Sequence, residues 1–317
     1  MNNLRVVYFG MLGDFSRRPL QALLAAEVMI TAVCVPAAEK WPGVRRVEPV
    51  TAVSQLPLLT PFAAATIVSI AWQQSIPVYE IGDLNASDTR AYLAGLQPDI
   101  ACVSCFDRRI PGGVLAIPRH GFLNVHPSLL PDFRGPAPLF WTFREGIRAT
   151  GVTVHFMDEG LDTGDIVLQT PLTLPDGISG AAADELLADA GGQLLVEALA
   201  RLQEDTLSRR PQSGNGRSAP TPRPADFHIP TTWPARRAFN FIRGAAEWGR
   251  PFTIHAAEEL VRAQTAVSYQ PDGQLPQPVV RQGAVSHVQF SPGILTVPAG
   301  SNPQQTGEQT QDTAPAE

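Results

Sequence analysis

The sequence predicts an α/β protein, a mostly parallel sheet covered by helices, with a small β-rich domain at its C-terminal end. Three observations lead there. Residues 4–35 run apolar segment, glycine turn, amphipathic segment, apolar segment, the β-α-β order that builds a parallel sheet. Composition then changes at Ser208–Pro224 (SRRPQSGNGRSAPTPRP), which is polar and rich in proline and glycine, as linkers are. Beyond it, short apolar runs alternate with proline and glycine turns.

The elements follow in order. Leu4–Phe9 reads as a buried strand, Gly10–Asp14 as a turn and Phe15–Ala26 as a helix with Leu20, Leu23 and Leu24 on one face. Val28–Val35 is the next strand. Residues 36–75 begin as a proline-rich loop, with a strand expected at Thr66–Ala71. Strands follow at Ile76–Ile81, Asp99–Cys105, Phe122–Val125, Val152–Met157 and Ile166–Leu174, with helices at Ala86–Leu96 and Ala181–Leu202. After the linker, a helix at Ala235–Arg243 precedes strands at Phe252–His255, Ala266–Tyr269, Val285–Phe290 and Ile294–Val297. The expected organisation is therefore a domain over 1–207, a linker over 208–224, a β-rich domain over 225–299 and a disordered tail over 300–317, rich in Gln, Thr, Pro and Glu.

Bulk properties narrow the class. A chain of 317 residues with 44% hydrophobic and 17% charged residues suits a globular enzyme, not a disordered protein. No apolar run reaches the roughly 18 residues a membrane helix needs. The start, MNNLRVVYFG, enters a strand directly without the basic and apolar segments of a signal peptide, so a cytoplasmic location is expected. The net charge of −6 gives no overall attraction for nucleic acid, although a local basic face stays open. Three cysteines make a disulfide framework improbable. Cys102 and Cys105 form a CxxC inside a strand-like run, where positions three apart diverge, and are expected to be buried structural thiols.

The chemically informative stretch is Phe122-Leu-Asn-Val-His-Pro-Ser-Leu-Leu-Pro-Asp-Phe-Arg-Gly135. Asn124 and His126 stand two apart at a strand end, so both project from one face. The C-terminal edge of a parallel sheet is where α/β proteins build their sites. An amide donor can stabilise the oxyanion of acyl transfer, and a histidine can move protons between the incoming and outgoing nitrogens. A carboxylate would orient that histidine, and Asp162 in Asp158-Glu-Gly-Leu-Asp-Thr-Gly-Asp165 supplies one. An Asn-x-His pair alone is more often packing or surface, and the acidic loop alone is a plain turn. The spacing of a calcium loop is absent.

The combination is more specific. Asn124-x-His126-x-Ser128-Leu129-Leu130-Pro131 with Arg134-Gly135, then Gly151-Val-Thr-Val-His155 and Gly160-Leu-Asp-Thr-Gly-Asp165, resembles the formyltransferase family that uses 10-formyltetrahydrofolate. The likeness runs from residue 4 to about residue 205. It implies a Rossmann-like, mostly parallel formyltransferase fold, with 10-formyltetrahydrofolate as co-substrate and no metal. It also implies that Asn124, His126 and Asp162 form the catalytic trio. Ser128, Leu129, Leu130 and Pro131 match the folate-contacting loop, and the backbone of Met157, Asp158, Glu159 and Gly160 borders the pterin pocket.

The acceptor amine depends on the branch. Gly10-Met-Leu-Gly-Asp-Phe-Ser-Arg-Arg-Pro-Leu20 lacks the Gly/Ser/Asn-rich phosphate loop of glycinamide ribonucleotide formyltransferases. Asp14-Phe-Ser and Leu20-Gln-Ala-Leu23 resemble the branch that formylates methionyl-tRNA. Asp226-Phe, Pro234, Phe241-Ile-Arg-Gly244 and Trp248-Gly-Arg-Pro-Phe-Thr253 resemble the entry to that branch's small barrel, making the second domain a shortened, OB-like one. Met-tRNA is thus the implied partner, with Arg236, Arg237, Arg243 and Arg250 as phosphate contacts or, equally, a solvated helix face. Only Lys40, Arg45 and Arg46 stand where that branch carries a basic insertion, and His126-Pro-Ser128 and Pro136-Ala-Pro-Leu-Phe-Trp141 suit relatives that formylate amino-sugar nucleotides equally well. A folate-binding protein without activity and a formyl-folate hydrolase are the remaining alternatives. The intact trio argues against the first.

Overall fold

The computed structural model describes residues 4–39, 41–49 and 65–299. The expected disordered tail, 300–317, lies outside the described residues, as do residues 50–64 of the loop region. The chain divides into two compact units, Met1–Pro222 and Arg223–Glu317.

The first unit contains β1 (Val6–Gly10), α1 (Asp14–Ala25), β2 (Ile30–Pro36), β3 (Val44–Val47), α2 (Ile67–Gln73), β4 (Val78–Ile81), α3 (Ser87–Gly95), β5 (Ile100–Ser104), α4 (Gly112–Leu115), β6 (Phe122–His126), α5 (Pro138–Arg144), β7 (Ala149–Phe156), β8 (Ile166–Thr173) and α6 (Gly180–Gln203). Its strands form one sheet in the order β3-β4-β2-β1-β5-β6-β7-β8. The central strands β4, β2, β1, β5 and β6 run parallel, whereas β3, β7 and β8 pair antiparallel to their neighbours.

Alternation along β1 sorts the core into two clusters. Val6 and Tyr8 pack with Leu20 and Leu23 of α1 and Leu195 and Leu199 of α6. Val7 and Phe9 pack on the other side with Leu93 of α3 and Val114 of α4. Burial on both faces is why β1 and β5 read as nearly continuous apolar runs. On β6, Leu123 and Val125 join the first cluster and Phe122 the second. Asn124 and His126 therefore share the face of Phe122, at the strand's C-terminal end.

Helix α1 contains Pro19, which has no N–H to offer the carbonyl of Phe15 one turn earlier. The buried hydroxyl of Ser104, at the end of β5, donates to that carbonyl at 2.7 Å, and Tyr8 Oη donates to the next one, Ser16, at 2.6 Å. Strand side chains thus complete the hydrogen bonding of the helix and seat its first turn on the sheet.

Three expectations are corrected. Thr66–Ala71 is not a strand. Thr66 and Ser69 form a reciprocal capping box, Ser69 N donating to Thr66 Oγ1 at 3.2 Å and Thr66 N to Ser69 Oγ at 2.9 Å. Ile67, Ile70 and Ala71 then fall on one buried helical face. Cys34 and Cys102 are buried, but Cys105 is exposed, because it lies beyond the end of β5 in a left-handed conformation (φ 57°). The stretch read as a linker packs on the first unit as far as Pro222: Arg210 forms a bridge with Ile166, and Ser218 with Arg134.

The second unit contains β9 (His228–Pro230), α7 (Ala235–Ala245), β10 (Phe252–Ala256), β11 (Glu259–Ala263), β12 (Ser268–Gln270), β13 (Val279–Gln282), β14 (Val285–Gln289) and β15 (Ile294–Pro298). They form a three-stranded sheet, β11-β10-β9, and a four-stranded antiparallel sheet, β12-β15-β14-β13. Phe227, Phe241 and Phe252 are buried together, the Phe252 ring centroid 5.5 Å from Phe227 and, edge to face, 5.2 Å from Phe241.

Replacing Ser104 with alanine leaves the Phe15 carbonyl buried without a donor. Denaturant unfolding is expected to show a loss of about 1–3 kcal/mol, and a change near zero would show that the helix closes on itself without help.

Candidate active site

Strand β6 ends at His126, and antiparallel β7 returns beside it with His155 opposite Asn124 and Thr153 opposite His126. Residues directly opposite share a face, so all four side chains project to one side.

Hydrogen-bond chemistry fixes both tautomers. Asn124 Nδ2 lies 3.1 Å from His155 Nε2. An amide nitrogen only donates, so Nε2 accepts from it, and Nδ1 donates to the Phe156 carbonyl at 2.8 Å. His126 has the opposite tautomer. Its Nε2 donates to the Phe133 carbonyl at 2.9 Å, leaving Nδ1 as the basic nitrogen. That Nδ1 faces Asp162 Oδ2 at 3.6 Å, and Asp162 Oδ1 lies 3.6 Å from His155 Nε2. The Gly135 N–H donates to Asp162 Oδ2 at 2.9 Å.

Burial pushes the pKa of His126 below the ordinary 6.5; His155 adds to the fall, while the Asp162 charge and the Phe133 hydrogen bond oppose it. Burial alone would raise Asp162. His126, His155 and the Gly135 N–H outweigh it and hold the carboxyl down to about 2. At neutral pH, then, a carboxylate faces an uncharged imidazole whose Nδ1 is the next place a proton goes. Asn124 is half-buried and keeps a second amide N–H beyond the one on His155.

The structure brings Asn124, His126 and Asp162 together and adds residues that the sequence did not single out. His155 lies within a motif quoted above, and its role rests on the β6–β7 register. Phe133, Gly135 and Gln212 act through backbone or amide groups that carry no motif. Asp162 sits in the left-handed region at φ 53°, in a loop where Asp158 Oδ1 accepts from the Gly160 N–H at 2.9 Å and Thr163 Oγ1 at 2.6 Å. Ser128 is fully buried; its hydroxyl donates to the Asp132 carbonyl at 2.6 Å and is committed to shaping the turn. Thr153 Oγ1 donates to the Ser128 carbonyl at 2.6 Å and accepts from the Leu130 N–H at 3.1 Å. Leu130 is buried, whereas Leu129 and Pro131 are half-buried. Met157 continues β7, its N–H on the Phe122 carbonyl at 2.8 Å, and the exposed Asp158, Glu159 and Gly160 follow, with Arg109 donating to the Glu159 carbonyl. Among the described residues no group of three or more His, Cys, Asp or Glu could hold a metal, and no helix is long and apolar enough to cross a membrane.

The fold defines the class, an α/β protein with a mostly parallel sheet and a polar cluster at a strand end. The chain belongs to the formyl transferase family, whose model matches residues 22–199, and that family uses 10-formyltetrahydrofolate as its one-carbon donor. It is similar to the methionyl-tRNA formyltransferase of Pelotomaculum thermopropionicum, with 35% identity over 83% of this chain and 79% of that one. The corresponding enzyme of Desulforamulus reducens is 31% identical over 83% and 78%. Among solved structures, an N-formyltransferase from Helicobacter canadensis, in complex with folinic acid and dTDP-3-aminofucose, shares the fold (TM-score 0.64, 14% identity, 93% of this chain and 99% of that one). HypX from Aquifex aeolicus in complex with tetrahydrofolic acid does so too (TM-score 0.59, 15% identity), with 93% of this chain covering 44% of that one.

The shifted pair has a consequence for stability in acid. An unfolded histidine takes up a proton near 6.5 and buried His126 only at lower pH, so stability falls as pH drops below about 6.5. Asp162 adds a second loss as pH falls from 3.8 towards about 2. The melting temperature is expected to drop less steeply between about pH 7.5 and about pH 5 in His126→Gln than in the wild type; parallel slopes would assign the acid loss to other groups.

Proposed function

We propose that this protein transfers the formyl group of 10-formyltetrahydrofolate to the amino group of methionyl-tRNA, using Asn124, His126 and Asp162. The observation that carries the reading is the convergence of an amide N–H, a buried imidazole and a carboxylate on one strand end. The co-substrate supplies a formyl carbon already activated on nitrogen. A new carbon–nitrogen bond forms to the acceptor amine, the bond from the formyl carbon to N10 breaks, and a proton passes from the amine to N10. Asn124 directs its remaining N–H at the developing oxyanion. His126 takes the amine proton on Nδ1 and returns it to the leaving nitrogen. Asp162 stays ionised throughout, so the imidazolium is an ion pair while it lasts. The turn at Leu129–Pro131 and the backbone of Met157–Gly160 border the folate.

The acceptor assignment is supported by the names of the similar enzymes and by α7, where Arg237 lies 3.7 Å over the Trp233 ring and Arg243 5.8 Å over Phe239. Arginines stacked on aromatic rings suit contact with a nucleic-acid backbone. The reading places the protein in the cytoplasm, at translation initiation.

Purified protein given 10-formyltetrahydrofolate is expected to formylate Met-tRNA, and Asp162→Asn and His126→Ala to lose about 10²–10⁴-fold in kcat while melting cooperatively. Near-normal turnover in both variants would overturn the site. Amino-sugar nucleotides run in parallel decide the acceptor: formylation of these and not of Met-tRNA would overturn it. Formate release without any amine would make the protein a hydrolase.

A further inference from the structure

Gln212 uses every hydrogen-bonding position of its side-chain amide. Nε2 donates to the carbonyls of Asp162 and Gly164, both at 2.8 Å. Oε1 accepts from Arg134 Nε at 3.0 Å and Nη2 at 2.7 Å. The first loop carries the Asp162 carboxylate. The second carries Gly135, whose N–H binds that carboxylate. One amide therefore joins the acid to the backbone donor that orients it.

Each end of this link is fixed from outside. Asp162 holds a left-handed backbone, a conformation uncommon for residues with a Cβ. The segment bearing Gln212 is itself clamped on both sides. Arg210 exchanges backbone hydrogen bonds with Ile166 at 2.8 and 2.9 Å. Ala219 N donates to the Arg134 carbonyl at 2.7 Å, and Ala137 N to the Ala219 carbonyl at 3.0 Å. Arg217 reaches Asp132 through its backbone N–H at 3.0 Å and its guanidinium at 2.6 Å. Gly216 passes so close to the Pro131 carbonyl that a Cβ would stand 1.8 Å from it. The strap thus has little freedom, and Gln212 hands that rigidity on to the two loops.

We propose that Gln212 is a positioning residue for the transfer reaction, its amide setting the place of the Asp162 carboxylate against the His126 ring. The inference rests on the formyl-transfer reading for its kinetic part only. His126 is faced by Asp162, by the His155 ring and by the Phe133 carbonyl, and of these it is Asp162 that Gln212 holds.

The test compares wild type with Gln212→Ala and Gln212→Glu. Glutamate keeps the shape and can still meet Arg134, but it turns an acceptor towards two carbonyls that need a donor. Three quantities are measured: kcat and KM, thermal melting, and the ring-nitrogen NMR shifts of His126, assigned with a His126 variant. Both substitutions are expected to lower kcat about tenfold to a hundredfold while changing the folate KM less than about threefold. The His126 shifts are expected to move as the carboxylate withdraws. A brace without a positioning role would lower the melting temperature and leave kcat within about twofold of wild type at a temperature where the variant is folded, and that result overturns the proposal. Loss of kcat with unmoved His126 shifts overturns it too, because the effect would then bypass the Asp162–His126 pair. If the alanine variant does not fold, the glutamate variant decides. Should wild type transfer no formyl group, the reading of the activity fails, while the His126 shifts still report whether Gln212 holds the carboxylate.

Discussion

A carboxylate withdrawn from water stays ionised only where donors and positive partners replace the water it lost. Asp162 is nearly enclosed, with its side chain 11% exposed; its standing donor is the Gly135 N–H, and an imidazole beside it becomes a positive partner on taking up a proton. The end of β6 brings His126, β7 brings His155, and the turn after β6 brings the Gly135 N–H. His126 and Gly135 are distant from Asp162 in the chain, so the surroundings of the carboxylate depend on the whole strand-end arrangement. Through it, so does the state of the His126 ring, which is neutral and has its basic nitrogen aimed at a negative charge. That state suits a reaction in which a proton leaves one nitrogen and arrives at another.

The sheet accounts for how such a site comes to exist. Side chains alternate along β6, so two positions of one strand send polar groups to a common face while their neighbours Leu123 and Val125 are buried on the other. Because β7 runs antiparallel to β6, the residue opposite Asn124 is fixed by register and not by a loop, and Thr153 can reach across to brace the Ser128–Leu130 turn. Asn124, His126 and His155 are thereby mounted on strands and their supports on short turns, which limits how far the cluster can rearrange.

What was legible in the sequence is what is local. Asn124 and His126 announce themselves because a strand period of two puts them side by side, and Asp162 because its acidic, glycine-containing loop has a recognisable wording. His155 was visible as a residue but not as a member of the site, since its role depends on a pairing between strands that no local pattern specifies. Gln212 was hidden more completely: polar residues among prolines and glycines look the same whether solvated or strapped to a surface. Ser128 shows the reverse limit, being part of the motif yet turned inward to hold Asp132. In the second unit, β11 was missed because Leu260, an apolar residue, faces solvent and breaks the alternation, and β13 because only two of its four residues are apolar and Arg281 and Gln282 are exposed. Thr66–Ala71 misled through its β-branched residues, while the cap that decides for helix lies in two hydroxyls.

The strap over residues 208–222 also bears on the order in which the molecule is made. A ribosome delivers the N-terminal part of a chain first, and compact units form as they emerge. The sheet, its helices and the loop with Asp162 are all synthesised before Gln212, and that loop's carbonyls find their donor only when the strap leaves the exit tunnel. The nascent chain therefore carries an unfinished cluster through most of its synthesis, and its last hydrogen bonds form late, just as the second unit begins to appear.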